Sequence, residues 1–124
     1  MMFVCNTGPL IALATIDQLS LLQHMASEGV LTPPRVQKEL WGKIGPESAR
    51  IESALSHFIH ETQIDRIDPG LESATSDLHA GEKEGIVLGT SLQDNAVLLP
   101  DDQAGRRTAQ ALGLSVLGPA GLLL

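Results

Sequence analysis

The sequence alternates short apolar segments with longer segments of helical periodicity, and this alternation restricts the fold more than any other feature. Apolar segments predict strands at residues 2–5, just before and at Leu31, at residues 96–100 and at residues 114–118. Segments with helix signals separate these strands, an order that is typical of a parallel sheet. We therefore predict an α/β fold with a largely parallel sheet.

Several kinds of local signal predict the helices. The first helix begins after Asn6 and holds Pro9 in its first turn, where a missing N–H removes no hydrogen bond. The segment from Thr15 to Gln18 has the pattern of a capping box, so this helix is expected to break and restart before Leu19. Further helices are predicted at residues 34–41, at residues 81–92 and from residue 103 to about residue 112.

The segment after residue 50 has the clearest helical periodicity in the chain. Its apolar residues recur three and four positions apart, at Ile51, Ala54, Leu55, Phe58 and Ile59. Residues 63–68 alternate polar and apolar side chains, which predicts a strand near the edge of the sheet. The polar residues 69–77 predict a loop.

Three glycines lie four positions apart in the helix predicted at residues 81–92. Gly81, Gly85 and Gly89 share one face of that helix. Since each interior glycine weakens a helix by about 0.8–1 kcal/mol relative to alanine, we expect another element to pack closely against this face.

Length and cysteine content narrow the class of protein. The 124 residues suffice for one domain, residues 1–124, with a single core. The longest apolar run is too short to cross a bilayer and the start lacks the pattern of a secretory signal, so a cytoplasmic protein without a membrane span is expected. Cys5 is the only cysteine, which excludes a disulfide framework, and its apolar neighbours predict a buried, inert thiol.

The formal net charge of −7 argues against a basic surface that clamps nucleic acid. Affinity for phosphate comes mostly from Lys and Arg, although an acidic protein can act on nucleic acid when its carboxylates hold divalent cations. The aromatic residues are Phe3, Trp41 and Phe58. Base stacking is therefore not the expected mode of recognition.

Polar residues that follow the predicted strands are the candidates for a functional site, because ligands of open α/β sheets bind beyond the carboxyl ends of the strands. Asn6 follows the first strand, and Asp101 and Asp102 follow the fourth. Glu39 and Glu82 lie on the helices that come after the second strand and after the polar segment.

Helix capping is the structural alternative for the residues that follow strands. Asn6 and Thr7 can satisfy free N–H groups at the start of the first helix. Asp102 can cap the last helix while Asp101 points to water.

The two glutamates have structural alternatives as well. Glu82 lies in a first helical turn, where the helix dipole favours a carboxylate. Glu39 has Arg35 four residues before it and Lys43 four residues after it, which is the spacing of an ordinary surface pair.

The remaining titratable residues are ambiguous in the same way. His57 and His60 lie three apart on the predicted amphipathic helix, where they can share a metal or form a solvated face. Arg106 and Arg107 follow the aspartates by one helical turn and can bind a phosphate or offset the aspartate charges.

A family resemblance is carried jointly by four segments, which occur in this order: NTGPLIALATIDQLSLL, TPPRVQKEL, AGEKEGIVLG and LLPDDQAGRRTAQALGLSVLGPAGLLL. They resemble the PIN-domain family, and specifically its branch of VapC-like prokaryotic toxins. The resemblance covers most of the chain. It implies a three-layer α/β/α sandwich with a parallel five-stranded sheet of order 3-2-1-4-5, and metal-dependent cleavage of RNA.

The resemblance also implies functional residues and partners. The acidic positions of the family correspond here to Asn6, Glu39, Glu82 and Asp101, with Asp102 as an alternative or additional member. These residues would bind Mg²⁺ or Mn²⁺, with Glu39, Glu82 and Asp101 as the catalytic acids, and Thr7 and Arg106 would contact the substrate. The implied partners are RNA, a small antitoxin protein and a second copy of the chain. Oxygen ligands without Cys or His suit such hard cations.

Asn6 departs from the family pattern, because an amide oxygen can bind a metal but brings no negative charge. Two functions therefore remain open, a toxin-type endoribonuclease and a catalytically weakened PIN fold that binds RNA or protein. A nucleotide-binding domain is a third alternative, but the chain lacks the glycine-rich phosphate loop of such a site.

Overall fold

A computed structural model describes residues 2–41, 48–64, 67–92, 95–100 and 102–118 of the chain. Within these residues there are five strands and seven α-helices. The strands are β1 (Met2–Cys5), β2 (Val30–Thr32), β3 (Ile59–Glu61), β4 (Ala96–Leu99) and β5 (Ser115–Val116). The helices are α1 (Thr7–Thr15), α2 (Leu19–Met25), α3 (Pro34–Trp41), α4 (Ser48–His57), α5 (Pro69–Ala74), α6 (Ala80–Leu92) and α7 (Gln103–Ala111).

The five strands form one parallel sheet in the order β3-β2-β1-β4-β5, which confirms the predicted fold class. β1 lies at the centre, where Phe3 is aligned with Val30 on one side and with Val97 on the other. In a parallel sheet all strands present their carboxyl ends at the same edge. The segment that follows β1 therefore lies at the middle of that edge.

Alternate residues of the central strands face two separate cores. Phe3 and Cys5 of β1 pack in the core that also contains residues of α1, α2, α3 and α4. Val4, which lies between them, faces a second core with residues of α6 and α7. Because successive side chains of a strand point to opposite faces, this alternation places helices on both faces of the sheet.

The position of the third strand differs from the prediction. β3 spans Ile59–Glu61, and α4 ends at His57. Phe58 and Ile59 lie beyond the end of α4, but they pack in the same core as Ile51. Their positions in the sequence therefore continue the helical spacing of apolar residues. Pairing of Ile59 with Val30 replaces the helix there, and the prediction of a helix through residue 59 was wrong.

Residues 62–64 and 67–68 are outside any strand, so the predicted strand at residues 63–68 was also wrong where the chain is described; residues 65–66 lie outside the described residues. The predicted loop at residues 69–77 contains α5. Asp68 caps this helix by accepting a hydrogen bond from the Gly70 N–H at 3.0 Å, and Pro69 occupies its first turn. The segment was predicted as a loop because it is polar, but it forms a short, exposed helix that begins with common N-cap and first-turn residues.

The break between α1 and α2 is confirmed, but a capping box does not make it. The Thr15 hydroxyl donates to the Ile11 carbonyl within α1, and the Gln18 side chain makes no capping hydrogen bond. The turn is made by Asp17, which has a φ of 56° in the left-handed region.

The glycine face of α6 packs closely at two of its three positions. A Cβ at Gly89 would lie 2.5 Å from Leu98 Cδ1, and one at Gly81 would lie 3.0 Å from Asn6 Oδ1. Among the described residues, and apart from the adjacent backbone of α6, no atom would lie within 4 Å of a Cβ at Gly85, so the expectation of close packing was wrong there.

Cys5 is buried, and burial raises the pKa of its thiol because the thiolate would be poorly solvated. This agrees with the predicted inert thiol. Across the described residues, every helix is too short or too polar to span a bilayer.

Candidate functional site

Asn6 connects the central strand to the first helix. It is the N-cap residue of α1, and its Oδ1 accepts a hydrogen bond from the Thr7 N–H at 3.2 Å. The capping alternative from the sequence is therefore correct for Asn6. The opposite end of the same amide, Nδ2, is directed towards another element, so capping is not its only contact.

That second contact is with Glu82 in the first turn of α6. Asn6 Nδ2 donates a hydrogen bond to Glu82 Oε1 at 2.5 Å across 76 positions of sequence. Asn6 is 6% exposed and Glu82 is 4% exposed, so this is a buried pair of an amide and a carboxylate. Hydrogen bonds to ionised groups are stronger than neutral ones.

The start of α7 packs on the other side of the Glu82 carboxylate. A Cβ at Gly105, in the first turn of α7, would overlap the oxygen atoms of Glu82. The absence of a side chain at position 105 therefore provides the space that Glu82 occupies. The N-terminal end of a helix also favours a nearby negative charge.

Glu39 approaches the same edge from α3. The Thr7 hydroxyl donates to Glu39 Oε2 at 2.7 Å, and Arg35 Nε lies 3.9 Å from Glu39 Oε1. The Glu39 side chain is 44% exposed. Thr7 thus orients a carboxylate that is open to solvent, in addition to beginning α1.

The beginning of α3 is attached to α6 by Glu84. Its Oε1 accepts a hydrogen bond from the Arg35 N–H at 3.0 Å. This bond fixes the helix that carries Glu39 against the helix that carries Glu82. Glu84 was not among the predicted site residues, since no local pattern relates it to a residue 49 positions away.

Gly81 leaves space between two of the candidate oxygen ligands. A Cβ at this position would lie 3.0 Å from Asn6 Oδ1 and 3.5 Å from Glu39 Oε1. A cleft of about 230 Å³ opens here. It is lined by Asn6, Arg35, Glu39, His79, Ala80, Gly81 and Glu82.

The structure brings together four of the residues that the sequence suggested: Asn6, Thr7, Glu39 and Glu82. Asp101 lies outside the described residues. Asp102 is exposed and caps α7, with its Oδ1 accepting from the Gly105 N–H at 2.9 Å. The capping alternative is therefore correct for Asp102.

Arg106, His57 and His60 are not among the described residues that line the cleft. The Arg106 guanidinium lies against Gly118, where a Cβ would be 2.5 Å from one of its nitrogens. His57 ends α4 whereas His60 belongs to β3, so the two do not share a helix as predicted. His79 and Arg35, which were not predicted to belong to the site, line the cleft.

The donor set of the cleft fits a hard divalent cation. Asn6 Oδ1 and the two glutamates supply oxygen atoms, which Mg²⁺ and Mn²⁺ prefer. Among the described residues, no three His, Cys, Asp or Glu side chains are grouped closely enough to hold a metal. The described cleft offers two carboxylates and one amide oxygen. The lack of a side chain at Gly81 leaves space beside Asn6 Oδ1 and Glu39 Oε1.

Comparison with known proteins agrees with this architecture. The family model DUF3368, a PIN domain, matches residues 2–124. No curated protein matches the sequence. PIN domains have a nuclease-type fold, generally use divalent metal ions, and bind nucleic acid when they act as nucleases. Because the match spans nearly the whole chain, this chain belongs to the PIN-domain family DUF3368.

Proposed function

We propose that this protein is a metal-dependent endoribonuclease of toxin–antitoxin type, similar to the VapC-like branch of the family. The observation that supports this most directly is the convergence of Asn6, Glu39 and Glu82 at the middle of the carboxyl edge of the sheet. Three elements that are distant in sequence supply these oxygen atoms. Their convergence at one cleft is what binding a cation and a phosphodiester would require.

The proposed roles follow from the contacts of each side chain. Asn6 Oδ1, Glu39 and Glu82 hold Mg²⁺ or Mn²⁺, together with Asp101 and Asp102 as the family pattern implies. Thr7 holds the Glu39 carboxylate through its hydroxyl and contacts the substrate. A cation held by these residues would supply Lewis-acid chemistry, namely activation of a water for attack on phosphorus and stabilisation of the leaving oxygen.

The substrate side of the cleft contains positive charge. Arg35 lines the cleft beside Glu39, and its guanidinium can hold a phosphate of the RNA backbone. Arg106 is the second proposed phosphate contact. The proposed partners are a small antitoxin protein that covers the cleft and a second copy of the chain, which would form a homodimer. The proposed location is the cytoplasm, and residues 1–124 would act as one domain.

Cleavage of a panel of single-stranded RNAs in Mn²⁺ tests this function. We expect the wild type to cut, and Glu39→Gln to cut at least about 100-fold more slowly, since a charged ligand is lost. Asp77→Asn, the same change of carboxylate to amide at an exposed position, is the control and should keep full activity. An intact panel with folded wild-type protein would contradict the proposal.

Asn6 supports a second candidate function, a PIN fold that binds RNA or protein with little catalysis. Its amide contributes no charge, and its Nδ2 is engaged with one of the proposed metal ligands. Under this alternative the wild type binds the RNA panel without cutting it. Asn6→Asp then gains cleavage in Mn²⁺, whereas under the first function the wild type already cuts.

A further inference from the structure

In the buried contact between Asn6 and Glu82, an amide N–H is the polar partner of a carboxylate. Glu82 is 4% exposed, so its carboxylate has lost most of its hydration. A buried carboxylate is strongly destabilising unless polar partners replace the water it has lost. Asn6 Nδ2 supplies such a partner at 2.5 Å.

The position of the amide explains how both of its ends are used. Asn6 Oδ1 is held by the Thr7 N–H, which directs Nδ2 towards Glu82. The orientation is thus determined by the start of α1, and a carboxylate at position 6 has no N–H to offer. Two carboxylate oxygens at this distance would repel each other unless a cation or a proton lay between them.

We propose that Asn6 is a positioning residue whose amide stands in for a cation at Glu82, so that the acidic centre folds while it is empty. The cation-binding part of this proposal rests on the proposed function. The amide satisfies Glu82 before any metal arrives, and the centre therefore binds a cation reversibly instead of depending on one to fold. A chain with Asp at this position would need the cation for stability.

Thermal unfolding of four proteins in EDTA tests the pairing without reference to activity. They are the wild type, Asn6→Asp, Glu82→Gln, and the double variant that carries both changes and so exchanges amide and carboxylate. We expect Asn6→Asp to lower Tm by roughly 8 °C or more. The exchanged pair should recover at least half of that loss, which a residue with only a packing role would not do.

Mn²⁺ provides the second arm of the test. Adding Mn²⁺ should raise the Tm of Asn6→Asp by roughly as much as the exchange does, and by clearly more than it raises the Tm of the wild type. Asn95→Asp makes the same chemical change at an exposed position and is the matched control. Its Tm should equal that of the wild type in EDTA and in Mn²⁺.

Three results would overturn the proposal: Asn6→Asp as stable as the wild type in EDTA, an exchanged pair no more stable than Asn6→Asp, or no stabilisation of Asn6→Asp by Mn²⁺. If Asn6→Asp does not fold in EDTA, the exchanged pair decides, because a folded double variant supports the pairing and an unfolded one refutes it. Failure of the wild type to cut RNA, with these stability results intact, would refute the proposed function alone.

Discussion

The two glutamates of the cleft are held in different ways. Glu82 is 4% exposed and lies between the Asn6 amide and Gly105. The Glu39 side chain is 44% exposed, accepts from the Thr7 hydroxyl and lies near Arg35. We name the first group, Asn6, Glu82 and Gly105, the inner half of the cleft, and the second, Thr7, Glu39 and Arg35, the outer half.

This difference separates folding from ligand binding. A buried charge destabilises the fold as soon as its partners move, whereas water solvates an exposed charge whatever its neighbours do. We therefore expect changes in the inner half to act mainly on the free energy of unfolding. Changes in the outer half should act mainly on the affinity for cations and substrate.

The largest effect is expected for Gly105→Ala. The new Cβ would overlap the Glu82 carboxylate, displace it and weaken its bond to Asn6. Overpacking and a disturbed buried bond outweigh the better helix propensity of alanine, for a net loss of about 2–4 kcal/mol in the free energy of unfolding. Urea unfolding measures this, and an unchanged midpoint would show that α7 does not constrain Glu82.

Thr7→Val changes the buried member of the outer half and should have an intermediate effect. It removes the hydroxyl that donates to Glu39 while keeping the shape of the side chain. We expect a loss of about 1 kcal/mol in unfolding free energy and a 10–100-fold weaker affinity for Mn²⁺. Thr7→Ser should keep the affinity; if both variants bind Mn²⁺ equally, the hydroxyl does not position Glu39.

Gly85→Ala tests whether the sensitivity of Gly105 is specific to the inner half. Gly85 lies on α6, the helix that carries Glu82, but a Cβ there would have no atom of the described residues within 4 Å other than the adjacent backbone of α6. Because only helix propensity changes, we expect a gain of about 0.5–1 kcal/mol in urea unfolding. A loss of stability would mean that α6 is constrained along its whole length.

Glu39→Gln should have the smallest effect on folding. The exposed side chain keeps its size and its capacity to accept from Thr7, so the unfolding free energy should stay within about 0.5 kcal/mol of the wild type. Calorimetric titration with Mn²⁺ should nevertheless show a clear loss of affinity, because a charged oxygen ligand is gone. A stability loss as large as that of Gly105→Ala would remove the distinction between the halves.

Elements whose signals are local could be predicted well from the sequence. β1 and β4 are continuous apolar runs, and α7 ends where Gly113 takes a φ of +80°. β3 could not be placed, because Phe58 and Ile59 face the core used by α4 and so continue its spacing. Periodicity reports which core a residue faces, and here two different elements face the same one.

The sequence was sufficient to predict several residues of the candidate site, but not the contacts between them. Asn6 could be selected as a polar residue at the end of a strand, and Glu39 and Glu82 as carboxylates on helices that follow a strand or a polar segment. The roles of Gly105 and Glu84 depend on neighbours that lie far away in the chain. The role proposed for Asp101 remains a prediction.

Local polarity and residue chemistry were sufficient to predict the alternation of strands and helices, the α/β class and the candidate oxygen ligands. The folded chain was needed to show that Asn6 meets Glu82 across 76 residues and that Gly105 makes room for Glu82. It also showed that, among the described residues and apart from the adjacent backbone of α6, no atom lies within 4 Å of a Cβ at Gly85. A parallel sheet aligns the carboxyl ends of distant strands at one edge. Contacts made there depend on the packing of whole helices, which no short segment encodes.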